Sequence, residues 1–207
     1  LDVAKKTNTK FRVNAVQKPH KQNIAFVAGE LVEAHRKGVD ICKGISEVEI
    51  SEKADIVIAS PGGHPRDRNL YQAQKALSVA ELIGKKDCTF ILVAECKDGL
   101  GEGVLKEWLT EAKNPEEVVE RFKKEGYDVG SNKAFMYARA MLKGQVIIVS
   151  EYLSKEELEG MMLGWAKTLQ DAIKMALKRK VPNKILVLPN AVNIIPKICE
   201  GDVNNEE

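Results

Sequence analysis

Four short apolar runs, separated by helix-patterned stretches, restrict this chain to an α/β architecture. They are Ile56-Val57-Ile58-Ala59, residues 89–94, Val146-Ile147-Ile148-Val149 and residues 184–188. Continuous apolar runs of this length suit strands that are covered on both faces, as in a parallel sheet flanked by helices. Between them, apolar spacing of three and four predicts helices over 31–41 (ending near Gly44), 70–83, 104–112, 132–142 and 168–180. Asn114-Pro115-Glu116-Glu117 and Ser154-Lys155-Glu156-Glu157 read as two further helix starts. Gly84-Lys85-Lys86-Asp87 reads as a break. Upstream, Phe11-Arg12-Val13-Asn14-Ala15-Val16 alternates with period two, and Ile24-Ala25-Phe26-Val27-Ala28 returns after a polar turn containing His20. The expectation is a layered α/β fold with a mainly parallel sheet and an N-terminal β-hairpin. Val48-Glu49-Ile50 adds a short strand.

Residues 1–202 are expected to form a single domain, with a disordered tail at 203–207. Leu1 is not a methionine, and Asp2-Val3-Ala4-Lys5-Lys6 reads like the tail of a helix. The expectation is therefore a fragment, the C-terminal part of a longer subunit.

Charge and cysteine usage narrow the function classes. Lys and Arg number 32 against 30 Asp and Glu, so no basic surface for nucleic acid is expected. The apolar runs fall short of the ~20 residues that span a bilayer, and no signal peptide is expected. Cys42, Cys88, Cys96 and Cys199 are scattered without a CxxC pair, which reads as free thiols in the cytoplasm. No two histidines stand at metal-ligand spacing, so no metal site is expected in this chain.

In a parallel sheet, ligands gather at the carboxyl ends of the strands. That rim would hold residues 60–69, 95–103, 150–152 and 189–193. Ser60-Pro61-Gly62-Gly63-His64-Pro65 leads into the helix at 70–83. A strand, a glycine loop and a helix start can present backbone N–H groups to an anion. On that helix Leu70, Ala73, Ala76, Leu77 and Ala80 share one side, while Tyr71, Gln72 and Lys75 leave the other. The plain alternative is an amphipathic helix whose Gln72 helps to cap it behind Asn69. Neither the phosphate loop of nucleotide hydrolases nor the GxGxxG fingerprint is present. His64 stands in the loop as either a ligand contact or a loop-stabilising or solvent-facing group. His35 reads as a surface group, Glu95 and Asp98 as loop or cap groups, and Phe135 as core.

The segment 59–76, Ala-Ser-Pro-Gly-Gly-His-Pro-Arg-Asp-Arg-Asn-Leu-Tyr-Gln-Ala-Gln-Lys-Ala, resembles the Gly-Gly-x-Pro-x-Asp loop and Tyr-Gln-Ala-x-Lys helix of nickel-dependent lactate racemases. Val27-Ala28-Gly29, Ala94-Glu95-Cys96-Lys97-Asp98-Gly99-Leu100-Gly101 and Asn132-Lys133-Ala134-Phe135 follow in the family's order. The resemblance covers roughly residues 11 to 195. It implies the C-terminal domain of a 2-hydroxy acid racemase or epimerase that supplies one wall of the active-site cleft. By the resemblance, Lys75 is the catalytic residue that pairs with the substrate carboxylate. Tyr71 and Gln72 line the cleft with it. Phe135 stands near a family tryptophan, as a further substrate-binding position. The family's nickel pincer nucleotide takes the α-hydride, and the resemblance assigns its holding residues and the proton-shuttling histidines to the N-terminal domain of the same polypeptide. No cofactor is expected in this chain, and the chain alone is expected to be inactive. Gly130-Ser131-Asn132-Lys133-Ala134 stands in place of the family's Gly-x-His-Lys-Ala, so the resemblance implies 2-hydroxy acids as a class rather than lactate itself. The other readings are a non-enzymatic α/β module that binds a small anion or docks a protein, and a different oxidoreductase or isomerase on a doubly wound fold.

Overall fold

The structure, a computed structural model, describes residues 2–18 and 22–199. The expected turn histidine His20 and the expected tail at 203–207 lie outside the described residues. The described residues divide into two compact units. One runs up to Glu49 and takes in Asn193–Lys197, and the other spans Ile50–Val192 with Ile198 and Cys199.

The first unit contains helix α1 (Asp2–Lys6), strands β1 (Arg12–Gln17) and β2 (Asn23–Gly29), helix α2 (Leu31–Ser46) and all but the last residue of the paired short strands β3 (Glu47–Ile50) and β9 (Ile195–Ile198). β1 and β2 form the expected antiparallel hairpin, with Val13 opposite Ala28 and Ala15 opposite Phe26. α2 runs through Gly44 rather than ending there. The Glu30 carboxylate caps its start by accepting from the Val32 and Glu33 amides. His35, expected at the surface, is half-buried, and its Nδ1 accepts from the Arg12 guanidinium at 2.9 Å. β9 has no counterpart in the sequence reading.

The second unit holds a five-stranded sheet in the order β7-β6-β5-β4-β8. Its strands are β4 (Ala54–Ala59), β5 (Gly84–Val93), β6 (Gly144–Val149), β7 (Gly164–Ala166) and β8 (Ile185–Leu188). All neighbours pair in parallel. β7 is too short and too mixed in composition to have been visible as a strand. Residues 84–87, expected as a break, begin β5 instead. The register slips between Ala54 and Ile56, so Gly84 pairs with Ala54 while Thr89 pairs with Ile56. That irregularity accommodates the polar residues within the strand.

Helices cover both faces. Ile56, Ile58, Ile91, Ile147 and Val149 pack against Ala172 and Ala176 of α8 (Leu169–Arg179). Strand alternation turns Val57, Phe90 and Ile148 the other way, toward α3 (Leu70–Ile83) and α6 (Ser131–Lys143). α4 (Gly103–Glu111), α5 (Pro115–Glu125) and α7 (Lys155–Gly160) complete the unit. α3 begins where its pattern predicts, because Asn69 caps it. The Asn69 Oδ1 accepts from the Gln72 amide at 2.9 Å.

Asp55 ties β8 into the sheet. Its buried carboxylate accepts from the Asn183 and Lys184 amides, each at 3.1 Å, and from Lys85 Nζ at 3.3 Å. Burial pushes the carboxyl up, but the Lys184 amide, Lys85 and the Asn183 amide together outweigh it and hold it below the ordinary aspartate value. A carboxyl depressed on folding contributes stability above its unfolded pKa, and that contribution is lost as pH falls through the folded value. Asp55→Asn is therefore expected to lower the urea midpoint at neutral pH and to flatten its fall below about pH 4. Parallel curves for the two proteins across that range would contradict this.

Candidate active site

The carboxyl ends of the strands form the expected rim, and its loops are bonded to one another. Ser60 N donates to Leu188 O, Cys96 N to Asp67 O, and Asp98 N to Arg68 O. The Asp98 carboxylate also pairs with Arg68 at 3.0 Å, so Asp98 joins two loops. Glu95 is exposed. His64 is exposed.

The backbone anion cradle at the start of α3 is corrected by the structure. Leu70 N donates to Gly99 O at 3.0 Å and Tyr71 N to Leu100 O at 3.1 Å. Asn69 takes the next two amides, Gln72 through its side chain and Ala73 through its carbonyl. The loop at 99–101 thus fills the place an anion would take. Gly101 makes this approach possible, because a Cβ there would lie 2.8 Å from the Tyr71 Cβ. Any recognition at this corner falls to side chains.

Those side chains come from two helices. Tyr71 and Gln72 are half-buried and Lys75 is exposed. Gln72 is not a reciprocal cap. Its Oε1 accepts from Lys75 Nζ at 2.7 Å. On α6, Lys133 Nζ donates to Gln74 Oε1 at 2.8 Å and lies 5.3 Å from the Tyr71 ring centre. Tyr137 OH donates to Leu70 O at 2.9 Å, and Arg139 pairs with Glu81 further along. These links fix α6 against α3.

A groove of about 500 Å³ runs between them, lined in part by Lys75, Lys133, Asn132, Phe135 and Phe122. Phe135 is half-buried, not core as spacing alone suggested, and stacks on Phe122 of α5 with ring centres 4.6 Å apart. Burial lowers the Lys133 pKa, and the charge of Lys75 lowers it further. Among the described residues neither ammonium is paired with a carboxylate. Asn132 Oδ1 is buried without a hydrogen-bond partner. The groove therefore offers two cations beside an aromatic wall. The sequence reading gave Lys133 and Phe122 no role. Lys133 stood inside a quoted motif, but nothing in the spacing linked it to Lys75 on another helix.

Among the described residues, no three His, Cys, Asp or Glu side chains come together to hold a metal. Burial pushes the Cys88 and Cys96 thiols up to about 12, which leaves them protonated and poor ligands. These residues do not fit a nickel site. No described helix is long and apolar enough to cross a membrane.

Comparison with known proteins adds a family. Residues 49–196 match the family described as lactate racemase C-terminal domain. The lactate racemase of Thermoanaerobacterium thermosaccharolyticum is 36% identical over 198 residues, 93% of this chain and 46% of that protein. The lactate racemase of Lactiplantibacillus plantarum is 31% identical over 195 residues, 90% of this chain and 45% of that protein. The solved lactate racemase apoprotein from T. thermosaccharolyticum aligns with a TM-score of 0.87 at 32% identity, covering 94% of this chain and 47% of that one. The chain spans about half the length of the curated relatives it matches.

Proposed function

The chain belongs to the lactate racemase C-terminal domain family, and on that premise we propose that it is the substrate-carboxylate wall of a 2-hydroxy acid racemase or epimerase. The observation that carries this reading is the pair of unneutralised ammonium groups, Lys75 and Lys133, beside one groove. Two cations pushed together on adjacent helices are costly unless an anion joins them. A carboxylate is the anion that a 2-hydroxy acid brings. Lys75 grips it, Gln72 holds that ammonium from the same helix, and the Tyr71 ring stands beside the second ammonium, Lys133. Phe135 presents an apolar ring to the rest of the acid.

These roles suit the chemistry of inversion. The carbon must become planar and turn before it is rebuilt on the other face. A charge clamp at the carboxylate end retains the molecule while the other end moves. The family's nickel pincer nucleotide supplies hydride transfer, and we assign its binding to the N-terminal domain of the full-length polypeptide. Within this chain the work is binding and orientation. Four free thiols agree with a cytoplasmic setting.

Chiral chromatography tests the proposal. Full-length protein loaded with its cofactor is expected to interconvert the enantiomers of at least one 2-hydroxy acid, and the chain alone to leave every one unchanged. Racemisation by the chain alone would overturn this division of labour, and an inert holoenzyme would overturn the activity.

A further inference from the structure

Gln74 is the one long polar side chain on the buried side of α3. It is 2% exposed, and Ala73, Ala76 and Leu77 around it on the helix are buried too. A buried amide is costly unless its hydrogen bonds are made, and here both ends are used. Gln74 Oε1 accepts from Lys133 Nζ of α6 at 2.8 Å, and Nε2 bonds to Ser78 Oγ one turn further along α3. An ammonium can only donate, so the amide oxygen must face Lys133 and the nitrogen must face Ser78. Gln74, Ser78 and Lys133 all border the groove that Lys75 lines.

The kind of partner is what matters. Away from the groove the same two helices are joined by opposite charges, Arg139 with Glu81. At the groove the half-buried Lys133 is held by an amide oxygen and by the face of the Tyr71 ring instead. A carboxylate in place of the amide would fix the lysine equally well, but it would cancel the charge that an incoming acid must meet. An apolar side chain would leave the charge and lose its place. The amide takes one of the three ammonium hydrogens and leaves the others to a ligand. We infer that Lys133 is a second contact for the substrate carboxylate behind Lys75, and that Gln74 is its positioning residue, a neutral anchor that fixes the ammonium without neutralising it. This rests on the reading of the groove as a carboxylate wall. Burial and the neighbouring Lys75 both disfavour the charged form of Lys133, and an arriving carboxylate offsets both.

Calorimetric titration of the full-length holoenzyme with racemic lactate, 2-hydroxybutyrate and phenyllactate tests the inference, since a racemate stays at equilibrium whether or not turnover occurs. Lys133→Met keeps the stem beside Tyr71 and removes the charge, and it is expected to weaken binding about tenfold. Gln74→Glu is expected to weaken it by about as much, and Gln74→Met by only about threefold. A purely structural bridge between α3 and α6 predicts the reverse order, because glutamate keeps the bond to Lys133 and methionine loses it. Adding Gln74→Met to Lys133→Met is expected to cost nothing further, as two residues acting through one contact require. Unchanged affinity in Lys133→Met would overturn the contact. A Gln74→Glu variant that binds better than Gln74→Met, or additive losses in the double variant, would overturn the anchor. Loss of affinity in Lys75→Ala but not in Lys133→Met would sink this inference and leave the carboxylate wall standing, whereas a wild-type protein that binds none of the three acids would remove both.

Discussion

Lys75→Ala in the full-length protein is expected to weaken transition-state binding of the 2-hydroxy acid by about 2–4 kcal/mol, a loss in kcat/KM of roughly thirty-fold to a thousand-fold. The side chain is exposed on α3, and among the described residues its one hydrogen bond goes to Gln72. The fold does not depend on it, so the melting temperature is expected to stay unchanged. The loss would come from the carboxylate, which would keep only Lys133 as a cation. Lys133 is the weaker candidate for the clamp, because Gln74 already binds it and burial disfavours its charge. Lys75→Arg keeps the charge but changes its reach and shape, and an intermediate rate is expected. Steady-state kinetics with chiral product analysis reads all three proteins. Near-normal kinetics in the alanine variant, with the same acid, would remove Lys75 from the site.

Gly144→Ala is expected to be the most damaging small change in the sheet. Gly144 opens β6 and pairs with Cys88 of β5. A Cβ there would lie 1.9 Å from the Cys88 carbonyl oxygen and 2.8 Å from its backbone nitrogen. β5 is held between β4 and β6, so the obstructing atoms are backbone that cannot swing aside. The backbone at Gly144 is extended, and the penalty is purely steric. Stability is expected to fall by about 3 kcal/mol, the upper end of the overpacking range. Gly160→Ala is the control, since nothing lies within 4 Å of a Cβ there. Equal urea midpoints for the two variants would show that the β5–β6 pairing relaxes freely.

The candidate site was legible only in part. Tyr71, Gln72 and Lys75 were placed on the polar side of a helix by spacing, and the structure keeps them off the buried side. The anion cradle at the same helix start was a fair reading of a glycine loop, yet carbonyls from residues 99 and 100 occupy it. Nothing local announces that carbonyl oxygens of a loop beyond the next strand will accept from the amides there. Phe135 was read as core because a lone aromatic on a helix usually is, and its stacking on Phe122 depends on how α5 meets α6.

By itself, the sequence determined the elements whose signals are local. Continuous apolar runs marked the central strands, and Asn69 with the apolar spacing behind it marked α3 from Leu70 to Ile83. Tertiary structure decided what depends on distant partners. It made strands of β7 and β9, which are too short to carry a pattern of their own. It brought Lys133 against Tyr71, and it turned the apolar side of the hairpin outward. The reason is physical: periodicity reports which side chains share a face, whereas the fold determines what each face meets.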